Sequence, residues 1–249
     1  DVLAMLPRQD LIFMDPARRD HHGGRVFQLQ DCQPDVLSLR EKLLEKARVI
    51  LLKLSPMLDW HAAVHQLDCV REVHIVATGN ECKELLLVCS SEQIGDGNVN
   101  NGQRFCFPME TTPNTGLKTS QEIHIEDFLY EPNAAVMKGG CFGMLCEKYK
   151  VVALGHDSHL FTSPIMIDDF PGRRFRIKAV SSFNKKELNR NLGNIKQANI
   201  AVRHFPLSAN ELRKRLKLRD GGDTYLFATT FQPSSTSRKE RILMITEKA

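Results

Sequence analysis

Asp10-Leu-Ile-Phe-Met, a short apolar run, ends in Asp15-Pro16-Ala17-Arg18. A carboxylate, a rigid ring and a guanidinium therefore follow a buried strand within four residues. In open α/β sheets, ligands bind just beyond the carboxyl ends of the strands. A carboxylate placed there can orient an acceptor group, and a guanidinium can hold a phosphate through two parallel hydrogen bonds. Asp-Pro after a strand is also an ordinary turn sequence, so its meaning depends on its surroundings.

The second candidate is a concentration of positive charge. The net charge is only +4, yet from Pro171 to Arg219 there are 14 Lys or Arg against Glu187 and Glu211 alone. Segregation of this kind points to a polyanionic partner, with a solvated basic face as the alternative. The cations fall into three groups. Arg173, Arg174, Arg176 and Lys178 lie along a strand in which Phe175, Ile177 and Ala179 alternate with Arg174, Arg176 and Lys178. Lys185, Lys186 and Arg190 follow Asn184, a helix cap with Glu187 three residues on. Arg213, Lys214, Arg215, Lys217 and Arg219 belong to a helix opened by the capping box of Ser208 and Glu211.

Other reactive side chains make no comparable pattern. His61 and His65 are one helical turn apart without the intervening glutamate of a zinc protease. His156 with His159, and Cys141 with Cys146, lack second ligand pairs, so no metal is expected. The seven cysteines are scattered without a CxxC pair, which suits a reducing cytoplasm. The longest apolar stretch, Val49 to Leu58, is interrupted by Lys53 and Pro56 and falls short of the ~20 residues that cross a bilayer. No membrane association and no secretory signal are expected.

The elements that must position these groups are legible as periodicity. Strand 10–15, helix 34–46, strand 47–54 and helix 58–67 precede a hairpin, 72–77 with 84–89, around Thr78-Gly79-Asn80. That order predicts a mostly parallel α/β sheet closed by an antiparallel hairpin. The chain turns Gly-, Asn- and Thr-rich from Ser90 to Ser120, a domain boundary. A helix is predicted from Glu131 to about Tyr149, weakened at Gly139-Gly140, with strands near Val151–Leu154 and after His159. The basic stretch and its sequel read βαβαββ, ending in strands over 225–231 and 241–247.

The strings DPARR, YEPNAAVMKGG, SHLFTS, DFPGR, NKKEL and LKLRDGGDTYLFATT resemble a bacterial family of class I methyltransferases that use S-adenosylmethionine. In that family a methyltransferase domain precedes a ferredoxin-like segment and a THUMP-like domain. The resemblance implies an α/β chain: the carboxyl-terminal half of a Rossmann-like methyltransferase sheet over 1–92, an irregular connection over 93–126, a ferredoxin-like segment over 127–170 and a THUMP-like basic domain over 171–249. It assigns Asp15, Pro16, Ala17 and Arg18 to the acceptor site and RNA as the partner of the basic domain. It further implies a fragment that begins in mid-domain, without the glycine-rich cofactor turn. Such a half-sheet would be covered by a partner chain or an upstream segment, and would be inactive alone.

Two positions depart from the family pattern. Ala17 and Arg18 stand where amino-group methyltransferases carry a second proline and a base-stacking aromatic. Lys53-Leu54-Ser55-Pro56 holds no cysteine where carbon-5 uracil enzymes carry their nucleophile. Two rival readings remain open: an RNA-binding protein with a vestigial methyltransferase fold, and a methyltransferase acting on something other than nucleic acid.

Overall fold

The computed structural model describes residues 2–17, 29–92, 105–109, 111–112, 114–234 and 236–249. The chain is mixed α/β and divides into two compact units, 1–104 and 105–249.

In the first unit, α1 (Val2–Met5), β1 (Gln9–Met14) and a 3-10 turn at Leu29–Asp31 precede α2 (Val36–Lys46), β2 (Ala47–Leu54) and α3 (Trp60–Leu67). The hairpin β3 (Val70–Thr78) and β4 (Glu81–Cys89) completes it. Aspartates start both long helices. Asp35 accepts from the Leu37 and Ser38 amides, and Asp59 from those of His61 and Ala62, satisfying donors that a helix start leaves unpaired. Gly79 and Asn80 both have positive φ, 56° and 61°, as tight two-residue hairpins require.

The sheet order is β1-β2-β4-β3, with β1 parallel to β2 and β4 inserted antiparallel between β2 and β3. Ile50, Leu52 and Leu54 are buried with Leu85, Leu87, Leu43, Trp60 and Leu67. β1 is an edge strand among the described residues, and its Leu11 and Phe13 are 53% and 56% exposed. A strand edge bearing exposed large apolar side chains is a template for further pairing.

The second unit holds β5 (Phe128–Pro132), α4 (Ala134–Gly139), α5 (Phe142–Tyr149), β6 (Val152–Ala153), β7 (Phe161–Ser163), β8 (Gly172–Ser182), α6 (Lys185–Leu192), β9 (Asn199–Arg203), α7 (Ala209–Leu216), β10 (Thr224–Phe231) and β11 (Glu240–Lys248). All seven strands form one sheet, β6-β7-β5-β8-β11-β10-β9. Phe105, Leu117 and Ile123, ahead of β5, pack into this unit. Phe105 and Leu117 lie against the cluster of Phe128, Tyr130, Phe142, Leu145 and Phe161, and Ile123 lies against that of Phe175, Phe227 and Met244.

Two expectations are corrected. The single helix from Glu131 to Tyr149 is a strand and two helices. Asn133 caps α4 through the Val136 amide, and Gly140 ends it in the left-handed region at φ 73°. Glu131 is not at a helix start; it lies in β5, opposite Arg173. Ala179 does not share the face of Phe175 and Ile177. Ile245 pairs with Ala179 and Thr246 with Ile177, so Lys178 is the extra residue of a bulge. A bulge reverses the alternation beyond it, bringing Val180 onto the Phe175 face and Ala179 onto the helix-covered face.

β8, β9 and β10 run in one direction, with β11 opposed between β8 and β10. α6 and α7 are the crossovers, and their Leu188, Leu192, Leu212 and Leu216 pack on the same face. Both helices therefore start at the carboxyl ends of the strands they follow. The sheet is strongly coiled: Arg203 on edge strand β9 reaches Glu131 on β5, and the Gln232 amide donates to the Leu154 carbonyl at 3.1 Å.

Candidate functional site

Asp15 leaves β1 directly into the Pro16 turn, which the Ala17 amide pins by donating to the Gln33 carbonyl at 2.7 Å. Arg18 lies outside the described residues. The Asp15 carboxylate is not left bare. Lys53, beside it on β2, donates from Nζ to Oδ2 at 2.7 Å, and Glu84 on β4 stands 4.0 Å from the same ammonium. The sequence marks Lys53 as a break in the apolar stretch Val49 to Leu58 and as the place of a missing cysteine, not as a partner of Asp15. Its signal was a cation near the carboxyl end of the otherwise apolar run Val49–Leu54. The pair holds the carboxylate at the carboxyl ends of β1 and β2, the side of an open α/β sheet where ligands bind.

The strand cations of β8 are spent on the unit's own acids. Arg173 binds the buried Glu131, and Arg174 binds Asp168 at 3.1 Å. Arg176 binds Glu126 at 3.2 Å and lies 4.6 Å over the Phe128 ring. Lys178 bridges Glu126 at 3.3 Å and Glu247 at 2.9 Å. Hydrogen bonds from Arg176 and then Lys178 hold the Glu126 carboxyl below its ordinary range, and Glu247 raises Lys178. These acids lie outside 171–219, so counting charge within that segment overstated its free charge.

The helix cations behave differently. Lys185, Lys186, Arg190, Lys214, Arg215, Lys217 and Arg219 are all exposed. None of them makes a salt bridge to a described residue. Lys185, Lys186 and Arg190 lie on α6 and Lys214 and Arg215 on α7, the two crossovers on one face of the sheet. Contrary to expectation α7 ends at Leu216, so Lys217 is its left-handed C-cap and Arg219 lies beyond it, bridged to Gln197. Arg213 stands apart: it is half-buried, donates to Asp220 at 2.5 Å and Asn210 at 2.9 Å, and leaves its Nε buried without a partner.

Among the described residues no three His, Cys, Asp or Glu side chains are grouped to hold a metal ion. All seven cysteines are free thiols. No helix among the described residues is long and apolar enough to cross a membrane.

The two halves of the second unit each match a known family. Residues 128–171 match a ferredoxin-like domain, and residues 172–248 a THUMP domain-like family. The join falls at Gly172, where β5 and β8 pair, so the two domains share one sheet. A solved structure, titled "putative methyltransferase from Porphyromonas gingivalis W83", superposes with a TM-score of 0.80 at 33% identity. The match covers 96% of this chain and 60% of that one, so this chain spans about three fifths of the length of its structural neighbour. No protein of curated function matches it.

Proposed function

We propose that this chain is part of an RNA methyltransferase, with its THUMP-like domain holding the RNA. The observation that carries the reading is the layer of α6 and α7, where seven exposed cations on or just past the two helices make no salt bridge to a described residue while the cations of β8 are neutralised. A layer of unpaired Lys and Arg attracts a phosphate backbone by releasing its counterions. The likeness to the methyltransferase-titled structure and the match to the THUMP-like family support the two halves of the proposal separately.

The first unit supplies the acceptor side. Asp15, or the carbonyls of the turn it opens, orients the accepting atom, Lys53 fixes the carboxylate, and Arg18 is assigned to a substrate phosphate. The order β1-β2-β4-β3, with its reversed penultimate strand, is what the methyltransferase resemblance implies for the end of such a sheet. S-adenosylmethionine is proposed as the methyl donor of the longer protein. The described residues of 1–104 do not fit it by themselves: among them β1 is an edge strand with exposed Leu11 and Phe13, and the acid at its end is already held by Lys53. An upstream segment or a partner chain is proposed to cover that edge.

The test is binding of the full chain to structured RNA, single-stranded RNA and duplex DNA at about 50 mM salt. Structured RNA should bind best, because an electrostatic surface poor in aromatics reads backbone shape. Equal indifference to all three would remove the RNA reading.

A further inference from the structure

Three further cations converge on a cleft beyond the basic segment. Its volume is about 950 Å³, and it is lined by Ser182, His204, Phe205, Thr230, Arg238, Lys239, Glu240 and Arg241 among others. Ligand-sized clefts run from about 300 to 1,000 Å³. The lining places it at the carboxyl ends of β8, β9 and β10, the end of an open α/β layer where ligands collect. Both crossover helices begin on that side, α6 capped by Asn184 and α7 by Ser208, so their positive ends lie at this edge.

The charges in the cleft are unbalanced. Arg238, Lys239 and Arg241 are exposed, and their side chains make no hydrogen bond or salt bridge to a described residue. Glu240 is the carboxylate among the lining residues, and Asp157 stands 3.9 Å from the His204 ring. Cations grouped around a concavity repel one another and concentrate anions from solution. The rim is held in shape: His204 adopts a left-handed φ of 47°, and its carbonyl accepts from the Thr230 hydroxyl at 2.7 Å. Phe205 is braced by Phe183, ring centres 4.8 Å apart.

We propose that this cleft is a second anion site, separate from the outer surface of α6 and α7, which takes consecutive phosphates of the bound RNA. Arg238 and Arg241 present forked donors suited to phosphate oxygens, and Lys239 adds a point charge. The proposal rests on the RNA reading and adds where the chain enters the layer. A backbone held at both places would be fixed in direction as well as bound. The basic count that ended at Arg219 passed over these residues, although SRKER is written plainly across the start of β11.

The experiment compares the wild-type chain with two neutral variants by fluorescence anisotropy on one structured RNA. The first combines Arg238→Gln, Lys239→Gln and Arg241→Gln; the second combines Lys214→Gln, Arg215→Gln and Arg219→Gln. All six residues are exposed, and circular dichroism melts verify folding. Loss of two or three phosphate contacts in the cleft variant should weaken binding about tenfold or more and lower the salt slope by about 2. If only the second variant is impaired, the RNA reading stands and the cleft proposal is overturned. If an acidic peptide competes for the cleft better than the RNA does, the cleft belongs to a protein partner and the proposal is also overturned. If wild type binds no RNA, both fail together.

Discussion

Glu131 and Arg203 meet at 2.5 Å, although their strands β5 and β9 are separated by β8, β11 and β10 in the sheet. The other oxygen of Glu131 accepts from the Arg173 Nε at 2.7 Å. One carboxylate with 2% of its side chain exposed therefore joins the ferredoxin-like strand to both ends of the THUMP-like layer. Removing one member of a buried pair leaves charges unpaired at a cost of about 3–5 kcal/mol. The arginines are 42% and 37% exposed, so water recovers part of that. Glu131→Gln should cost about 2 kcal/mol, read as a lower melting midpoint, with α6 and α7 unaltered.

Gly172 guards the same joint. A Cβ there would fall on the Glu131 carbonyl and against Pro132. Gly172→Ala should destabilise the second unit by about 1–3 kcal/mol, as overpacking does. A chemical denaturation midpoint equal to wild type would show that β5 and β8 can part without loss.

His159 gives the second unit a pH dependence of known sign. Its ring stacks on Phe142 at 4.5 Å, and burial is the main reason its pKa lies below the usual 6.5. The folded state thus holds it neutral, while the unfolded chain protonates it near 6.5. Its contribution is fully present above that pH and declines as pH falls through it, because the unfolded state binds the extra proton. Melting His159→Phe and wild type across about pH 7.5 to 5 should show a flatter decline in the variant. Parallel curves would place the pH sensitivity elsewhere.

Asp15→Ala tests the acceptor side. Lost positioning should lower methyl transfer by the longer protein about 100-fold, with cofactor affinity nearly unchanged. The Asp15–Lys53 pair is partly exposed, so stability should fall by less than about 1 kcal/mol. Unaltered turnover would leave Asp15 as a turn residue.

Much of the fold was legible because local signals agreed with tertiary ones. Strand 47–54 was read to its ends, the Gly79-Asn80 turn fixed the hairpin, and Ser208 with Glu211 marked the start of α7. What was hidden depended on distant residues. β5 was masked by Asn133, a true helix cap that drew Glu131 and Pro132 into the helix reading. The bulge at Lys178 leaves no trace in the alternation of β8, since its cause is the pairing with β11. The site was legible as residue types but not as free charge. Glu126, Glu131 and Glu247 lie far enough along the chain that only folding brings them to the β8 cations.

The central claim is that the outer surface of α6 and α7 is a phosphate-binding layer, and the salt dependence of RNA affinity tests it most directly. Engagement of about five phosphates gives a slope of log affinity against log salt near −4. Neutralising Lys214, Arg215 and Arg219 while sparing the structural Arg213 should flatten that slope by about 2 and weaken all RNA sequences alike. A wild-type slope near zero, or one the variant leaves unchanged, would contradict the account.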